Sequence, residues 1–278
     1  MELRITTLIE DEQDQEKQLL FEHGFSLYIE FEGKNILFDT GQTGAFVKNA
    51  VRLQKNLKDL NYVIVSHGHY DHGGGVKTAL PYLAKGVKMF VGEGFFNSKY
   101  KKVKEGEYCF RGIDLKKQEI KDQYIDLQEI KEDVTYLNEN ILLFKNFRKN
   151  NPYETVNPKF VLKKKDQYEQ DFFLEELCLG LITKRGLVVI TGCSHSGIIN
   201  IMETIEERVG IPVYGVVGGT HLIEADEKRI NWTIEKFESM NIKKIALSHC
   251  TGEKAVEMVK ERAGEMFIQN HTGNIRQF

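Results

Sequence analysis

Apolar and polar positions alternate in three short stretches near the start of the chain, ELRITTLIE, FSLYIEFE and KNILFDTG. Their β-branched and aromatic residues recur with a period of two, which is typical of strands. FEGKN, between the second and third stretches, has the composition of a hairpin turn. The N-terminal region is therefore predicted to form a β-sheet.

Helical and strand patterns then alternate. GAFVKNAVRLQKNL carries apolar positions at helical spacing, and NYVIVSHG follows as a buried strand. GVKTALPYLAKG predicts a further helix, and KMFVGEGFF predicts the next strand. The order up to this point is sheet first, then helix and strand in alternation.

The sequence pattern changes between residues 97 and 170, where charged residues are abundant and hydrophobic periodicity is weak. Ile, Leu, Phe and Tyr recur throughout, which argues against disorder and predicts a small inserted or elaborated α/β segment. Exposed apolar residues of such an insertion would fit a homodimer. The lysines at 163–165 are interpreted as a solvated hairpin tip.

The C-terminal part alternates apolar strands with helix-like stretches, and each strand delivers a histidine at its carboxyl end. Ligands of open α/β sheets bind at the carboxyl ends of strands, so we expect these ends to converge on one rim. The histidines, in the order of the strands LVVITGCSH, PVYGVVGGTHL, KKIALSHCTG and MFIQNHTG, are His195, His221, His249 and His271.

Composition narrows the function classes. A net charge of -3 over 278 residues gives no bulk attraction to nucleic acid or to an anionic membrane. The start has no signal-peptide core, and no stretch reaches the ~18 apolar residues of a spanning helix, so a cytoplasmic protein is expected. The four cysteines form no CxxC pair, which disfavours a disulfide framework or a zinc knuckle.

The highest concentration of candidate functional residues is in VIVSHGHYDHGGG at 63–75, where three of the eight histidines and an aspartate follow a predicted buried strand. The spacing of His67, His69, Asp71 and His72 suits a metal, because an extended turn projects alternate residues to one side and the following helical start redirects the next two. Without a metal, imidazoles crowded around a carboxylate would gain nothing for the fold. No single element can complete a coordination shell. The more distant candidate ligands are His195, His221 and His249.

HGHYDHGGG resembles the HxHxDH signature of the metallo-β-lactamase superfamily, and ILFDTG resembles the strand ending in DTG that precedes it. EHGFSLYIE, GLVVITGCSHSGIINI, VYGVVGGTHL and ALSHCTG resemble the dihydropterin-6-methyl-ribofuranosylaminobenzene 5'-phosphate synthase-like subgroup, which is linked in archaea to methanopterin assembly. The resemblance implies an α/β (α+β) fold, the αββα sandwich. It would form one domain over residues 1–278, with about 97–170 as an inserted or elaborated subdomain.

The resemblance implies two ligand sets, which are His67, His69 and His195 for a first metal and Asp71, His72 and His249 for a second. Many relatives have a bridging aspartate after the strand that here ends in TGCSH, where this chain has none. Either His195 replaces that ligand or the bridging role is lost. The expected cofactor is therefore one or two divalent ions, zinc ahead of manganese or iron.

Other residues near these motifs have two interpretations each. Asp39 of DTG resembles an acid that orients a ligating histidine by accepting its far ring N–H, with a turn-forming aspartate as the alternative. Glu175 or Glu176 either points into the cleft or lies on an exposed strand edge. Cys193 and Cys250 are expected to pack as small buried residues, with their neighbours facing the rim.

Backbone N–H groups at the helix start after Ser194 and Ser196, and again near Thr251, could bind a phosphate or an oxyanion. Ordinary hydrogen bonding is the expectation for His23 and His271. The full set of candidates for substrate contact or for an extra ligand is His23, Glu176, Ser194, Ser196, His221 and Thr251.

The first functional hypothesis is a metal-dependent hydrolase in which activated water attacks an ester or phosphoester of a small molecule and Asp71 also shuttles protons. The alternative implied by the subgroup is a transferase that joins a pterin pyrophosphate to an arylamine ribose phosphate, with Phe95, Phe96 and Tyr153 as candidates for stacking the pterin. A non-catalytic metal-binding module is a third hypothesis. Di-iron electron transfer is disfavoured, because the chain has no room for a flavodoxin-like domain and its proposed ligands are mostly imidazole. Nucleic-acid processing is disfavoured because such enzymes tend to carry extra domains and basic grooves.

Overall fold

The computed structural model describes residues 2–278. The α-helices are α1 (Ala45–Arg52), α2 (Tyr70–Gly73), α3 (Val76–Ala79), α4 (Lys117–Asp122), α5 (Ile198–Val209), α6 (Glu227–Ser239) and α7 (Glu253–Ala263). The strands are β1 (Leu3–Ile9), β2 (Ser26–Phe31), β3 (Lys34–Phe38), β4 (Tyr62–Ile64), β5 (Lys88–Gly92), β6 (Lys99–Lys104), β7 (Glu107–Phe110), β8 (Asp126–Ile130), β9 (Val134–Tyr136), β10 (Ile141–Phe144), β11 (Phe160–Lys164), β12 (Gln167–Gln170), β13 (Cys178–Thr183), β14 (Gly186–Thr191), β15 (Val213–Gly218), β16 (Lys244–Leu247) and β17 (Ile275–Gln277).

Two large mixed sheets carry most of these strands. The first has seven strands in the order β17-β1-β2-β3-β4-β5-β8, and the second has six in the order β16-β15-β14-β13-β10-β9. In each sheet an antiparallel part is joined to a parallel part, which is β3 to β8 in the first sheet and β14 to β16 in the second. The carboxyl ends of the parallel strands within a sheet meet at one edge.

The apolar core has three layers because both faces of each large sheet are covered. One cluster fills the space between the sheets and includes Leu27 and Ile29 of β2 with Val188 and Ile190 of β14. A second packs the first sheet against α1, α3 and α4, and a third packs the second sheet against α5, α6 and α7. The layer order is therefore αββα, which confirms what the family resemblance implied.

The N-terminal hairpin forms where the sequence predicted it. Strands β2 and β3 pair antiparallel, with Phe31 opposite Lys34. The two residues between them, Glu32 and Gly33, both have a positive φ, at 50° and 71°. That conformation matches the right-handed twist of the flanking strands, which explains the glycine in FEGKN.

The predicted helix over GVKTALPYLAKG is only partly correct. The structure has the short helix α3 followed by a 3-10 turn at Leu80–Tyr82. Pro81 lies in the first turn of this 3-10 segment. Since proline has no backbone N–H and clashes with the preceding helical turn, the α-helix ends before it.

The segment 97–170 is shared among three sheets. Strands β6, β7, β11 and β12 form a separate four-stranded sheet in the order β12-β11-β6-β7, whereas β8 joins the first large sheet and β9 and β10 join the second. A buried ion pair between Lys99 of β6 and Asp171, with Nζ and Oδ2 2.5 Å apart, fastens the small sheet to the loop after β12. The four-stranded sheet thus accounts for part of this segment, and the two large sheets take the rest.

The final strand predicted in MFIQNHTG is wrong. This stretch makes one isolated parallel bridge, Ile245 with Phe267, and the last strand of the described chain is β17, which pairs with β1. Polar residues at 269–272 interrupt the apolar run, so it is too short to extend the sheet. Among residues 2–278 no helix combines the length and the apolar character that crossing a membrane requires.

The inter-sheet core generates a stability prediction. Leu179 of β13 is fully buried between the sheets, whereas Leu174, in the preceding loop, is 60% exposed. We expect Leu179→Ala to lower the free energy of unfolding by about 2–5 kcal/mol, because it removes buried methyl groups and leaves a cavity. Leu174→Ala is the matched control and should change it by less than about 0.5 kcal/mol. Urea unfolding followed by circular dichroism measures both, and equal effects would contradict this packing.

Candidate metal centre

Loops at the carboxyl ends of four strands meet at one end of the sandwich. The loop after β4 brings His67 and His69 and leads into α2, which carries Asp71 and His72. The loops after β14, β15 and β16 bring His195, His221 and His249, respectively. The two large sheets therefore contribute to one cluster from opposite sides, as expected for strand ends that lie at one rim.

His67, His69 and His195 form the first donor set, with one ring nitrogen of each within 4.8 Å of the others. All three are buried, and His67 Nε2 lies 3.1 Å from His69 Nδ1. Burial, reinforced for His67 by His72 and for His195 by His221, holds the pKa of these imidazoles well below its ordinary value. Burial also lowers the pKa of His69. The rings are therefore neutral and offer lone pairs.

Asp71, His72 and His249 form the second donor set, again within 4.8 Å. His72 Nε2 and His249 Nε2 are 3.2 Å apart, and His249 Nε2 is 3.3 Å from Asp71 Oδ2. Burial acts to raise the pKa of Asp71, but the charge of His72 and hydrogen bonds from His23 and His249 outweigh it and hold that pKa well below its ordinary value. Asp71 is therefore a carboxylate.

Carboxylates behind the second set orient its imidazoles. Asp39 Oδ2 accepts a hydrogen bond from His72 Nδ1 at 2.7 Å, and Asp11 Oδ1 accepts one from His249 Nδ1 at 2.6 Å. These contacts direct the Nε2 atoms of both rings into the site, where they would serve as donors to a bound metal ion.

Asp11 and Glu10 were not found from the sequence. Asp11 also accepts from His23 Nδ1 at 2.8 Å, and buried Glu10 accepts the backbone N–H of His249. Both residues directly follow β1, so their position at a strand end was the signal that could have found them. Hydrogen bonds to Asp11 and Asp71 raise the pKa of His23 to about 9, so this half-exposed ring is cationic at neutral pH.

Cys193 faces the cluster, and the expectation that it packs away from the rim is wrong. Its Sγ lies 3.0 Å from His72 Nε2 and belongs to a donor group with His67 and His72. Gly192 explains the position: a Cβ there would meet Ser66 Oγ at 2.1 Å, so only glycine lets the chain turn closely past β4. The turn directs the next side chain inward.

Glu176 supports the His195 loop. Its two carboxylate oxygens accept the backbone N–H groups of His195 and Ser196, at 2.7 and 2.9 Å. Buried Glu154 likewise accepts the N–H groups of Ile199 and Asn200 at the start of α5. These amides are therefore already bonded, which argues against the predicted phosphate site on them.

The hydroxyl groups of Ser194 and Thr251 also hold loops together. Ser194 Oγ donates to Gly219 O at 2.7 Å, and Thr251 Oγ1 accepts from the backbone N–H of Thr220 at 3.3 Å. Among the described residues, the cavity at the cluster is not lined by any of Glu176, Ser194, Ser196 and Thr251.

A cavity of about 250 Å³ opens above both donor sets. Its wall includes Lys101, Arg111, Phe160 and His221, and burial lowers the pKa of His221 to about 4, which leaves that ring neutral. Larger cavities occur, including one of about 760 Å³ beside His271, but that one contains no residue of the donor sets. His271 thus lies away from the rim that its strand was predicted to reach.

The three aromatic residues suggested for stacking a pterin lie elsewhere among the described residues. Phe95 and Phe96 pack edge to face with each other, and Tyr153 packs against Trp232. Phe160 and Tyr70 border the cavity, and the ring of Phe160 lies 5.2 Å from that of His69 in the first donor set. Phe173 stacks on His195 with ring centroids 3.8 Å apart and holds that imidazole in place.

The residues present fit divalent metal ions. His69 Nε2, Asp71 Oδ1 and His195 Nε2 are buried without a hydrogen-bond partner, and such orphaned polar atoms are costly unless a ligand satisfies them. All three belong to the two donor sets. Imidazole and carboxylate donors of this kind bind zinc, iron or manganese.

Comparisons with known proteins agree with this fold. A family model for the metallo-beta-lactamase superfamily matches residues 20–106. The chain is 31% identical to the 7,8-dihydropterin-6-methyl-4-(β-D-ribofuranosyl)-aminobenzene-5'-phosphate synthase of Methanocaldococcus jannaschii, with 99% of this chain and 97% of that protein covered. An uncharacterised protein of the same organism is also 31% identical, covering 93% of this chain and 94% of its own length.

Solved structures extend the comparison. The crystal structure of Tm1679, described as a metal-dependent hydrolase of the β-lactamase superfamily, has a TM-score of 0.85 and 29% identity, with 99% of each chain covered. A diphosphatase from the PhnP family, at 12% identity and a TM-score of 0.56 over 100% of this chain and 98% of that one, shares the fold. From the full-length relatives together with this architecture, the chain belongs to the metallo-β-lactamase superfamily.

Proposed function

We propose that the protein is a metal-dependent hydrolase with a binuclear centre, acting on an ester or phosphoester bond of a phosphorylated small molecule. The observation that carries the proposal is the pair of adjacent donor sets under one cavity, with three of their ligand atoms buried and unpartnered. His67, His69 and His195 would hold one ion, and Asp71, His72 and His249 the other. Zinc suits this imidazole-rich set best, with iron or manganese as alternatives.

Divalent ions at such a site supply Lewis acidity toward a substrate oxygen and lower the pKa of water. The chain itself supplies orientation and proton handling. Asp39 and Asp11 keep the Nε2 atoms of His72 and His249 directed into the site. Asp71 Oδ2 can accept a proton and lies 3.3 Å from His23 Nε2, whose ring reaches solvent. This pair forms a route for proton exchange with the bulk.

The charges at the cavity wall favour an anionic substrate. Arg111 lines the cavity, donates to Tyr70 OH at 3.2 Å, and keeps its buried Nε without a partner. His23 adds a second cation to the lining of the cavity, whereas Lys101 is already paired with Glu224 at 2.8 Å. A guanidinium with a free donor is well suited to a phosphate group. Arg111 is therefore the proposed phosphate contact.

A second candidate function is the pterin condensation, and the 31% identity to the synthase of Methanocaldococcus jannaschii over nearly the whole chain favours it. In that reaction a pyrophosphate leaves as an arylamine attacks, so the same centre would hold the departing group. The cavity of about 250 Å³ is smaller than most ligand sites, which favours the smaller substrates of a hydrolase. Phe160 would be the stacking residue in the alternative.

Metal content tests the binuclear centre. We expect about two zinc ions per purified chain, and about one fewer in His69→Ala and in His249→Ala, because each substitution removes a donor from a different set. Elemental analysis measures this directly. His271→Ala is the matched control, since this histidine lies outside the cluster, and it should keep the full content. Full metal content in all three variants would contradict the assignment of these ligands.

Substitution of Arg111 tests whether the substrate carries a phosphate group. We expect Arg111→Gln to raise KM for phosphoester substrates by about 10- to 100-fold, the range of one charge-assisted hydrogen bond, with a smaller effect on kcat. Arg185→Gln is the control, because Arg185 is on the hairpin between β13 and β14, away from the cavity-lining residues. An unchanged KM in Arg111→Gln would remove this residue from substrate binding.

The two candidate reactions differ in their need for an acceptor. The zinc-loaded protein is incubated with a phosphoester, or with a pterin pyrophosphate in the presence and absence of an arylamine, and the release of phosphate or pyrophosphate is measured. Release without the amine supports the hydrolase. Release that requires the amine, together with a coupled product, would establish the condensation in its place.

A further inference from the structure

Cys193 occupies a position between the two donor sets. Its Sγ lies within 4.8 Å of donor nitrogens of both His67 and His72, the first a member of one set and the second a member of the other. The contact with His72 Nε2 is 3.0 Å. A ligand atom placed in this way can contact metal ions on both sides.

The surroundings of Cys193 differ from those of a thiol that only fills the core. Within the described chain, Cys178 belongs to the apolar cluster of the second sheet, whereas Cys193 belongs to none of the three apolar clusters. Cys193 is 3% exposed, contacts imidazole, and lines the cavity of the site. A buried thiol in contact with imidazoles of both donor sets has the position of a metal ligand.

Cys250 lines the same cavity and belongs to a donor group with Cys193 and His249, but its Sγ already has hydrogen-bond partners. Its Sγ donates to the carbonyl oxygen of Cys193 at 3.5 Å and accepts the backbone N–H of His221 at 3.3 Å. These bonds join the loops after β14, β15 and β16. Cys250 therefore braces the loop that carries Cys193.

We propose that Cys193 is a metal ligand, and that its thiolate is shared between the ion held by the first donor set and the ion held by the second. The inference rests on the proposed binuclear centre and adds a ligand to it. Binding would release the thiol proton, and Sγ would then donate electron pairs to both ions. A soft sulfur donor also biases the site toward zinc and away from magnesium or manganese.

Cobalt substitution tests the proposal, because a thiolate bound to Co²⁺ produces a charge-transfer absorption band in the near ultraviolet and imidazole or carboxylate ligands do not. We expect the band in the cobalt-loaded full-length chain and its loss in Cys193→Ser. Cys250→Ser is the matched control and should keep the band. Zinc affinity from chelator competition should fall in Cys193→Ser by at least the roughly 10- to 100-fold that loss of an outer-shell partner costs.

A second variant distinguishes loss of the sulfur ligand from loss of the fold. Cys193→Asp should still bind two cobalt ions, because a carboxylate can also bridge, but its spectrum should lack the charge-transfer band. X-ray absorption at the zinc edge of the unaltered protein provides an independent measure and should show sulfur scattering.

The outcomes separate the two proposals. A wild-type chain that binds two cobalt ions without a charge-transfer band overturns the role of Cys193 and leaves the binuclear centre intact. A band that survives in Cys193→Ser and disappears in Cys250→Ser assigns the ligand to Cys250 and also overturns it. A chain that binds no transition metal would overturn the proposed function itself.

Discussion

The carboxylate of Asp39 joins the parts of the chain that the site depends on. It is fully buried, accepts the backbone N–H and the hydroxyl of Ser66 at 2.7 and 2.8 Å, and accepts His72 Nδ1 at 2.7 Å. One side chain thus connects the end of β3, the end of β4 and the helix that carries two members of the second donor set. A buried carboxylate without these partners would be strongly destabilising, so this arrangement is specific.

The backbone near the site is held in unfavourable conformations. Asp39, Ser194, His221 and His249 all have φ between 51° and 59°, a region that costs free energy for residues with a side chain. Each stands at or just after the end of a strand, where the chain must turn sharply. The surrounding hydrogen bonds, including those from Glu10 and Glu176, compensate for this strain. The two large sheets therefore provide the rigidity that keeps the donor atoms together.

Packing supports the first donor set as hydrogen bonds support the second. Phe173 stacks on His195 and lies beside the ion pair of Lys99 and Asp171, with Lys99 Nζ 4.9 Å from its ring centroid. The small four-stranded sheet is thereby coupled to the position of an imidazole. A segment that the sequence suggested was an elaboration of the fold thus contributes directly to the site, through Lys99 and Phe160.

The sequence by itself determined most strands and the concentration of imidazoles at strand ends, because hydrophobic periodicity and short-range spacing are properties of neighbouring residues. The HxHxDH stretch could be recognised for the same reason. The sandwich class followed from the resemblance of the chain's motifs to those of a known family. The tertiary structure alone showed that Asp11 and Cys193 also belong to the cluster. Asp11 meets His249 across 238 positions of sequence, and Cys193 turns inward because Gly192 has no room for a side chain beside Ser66. Such contacts depend on how two sheets pack face to face, and no local pattern along the chain encodes that geometry.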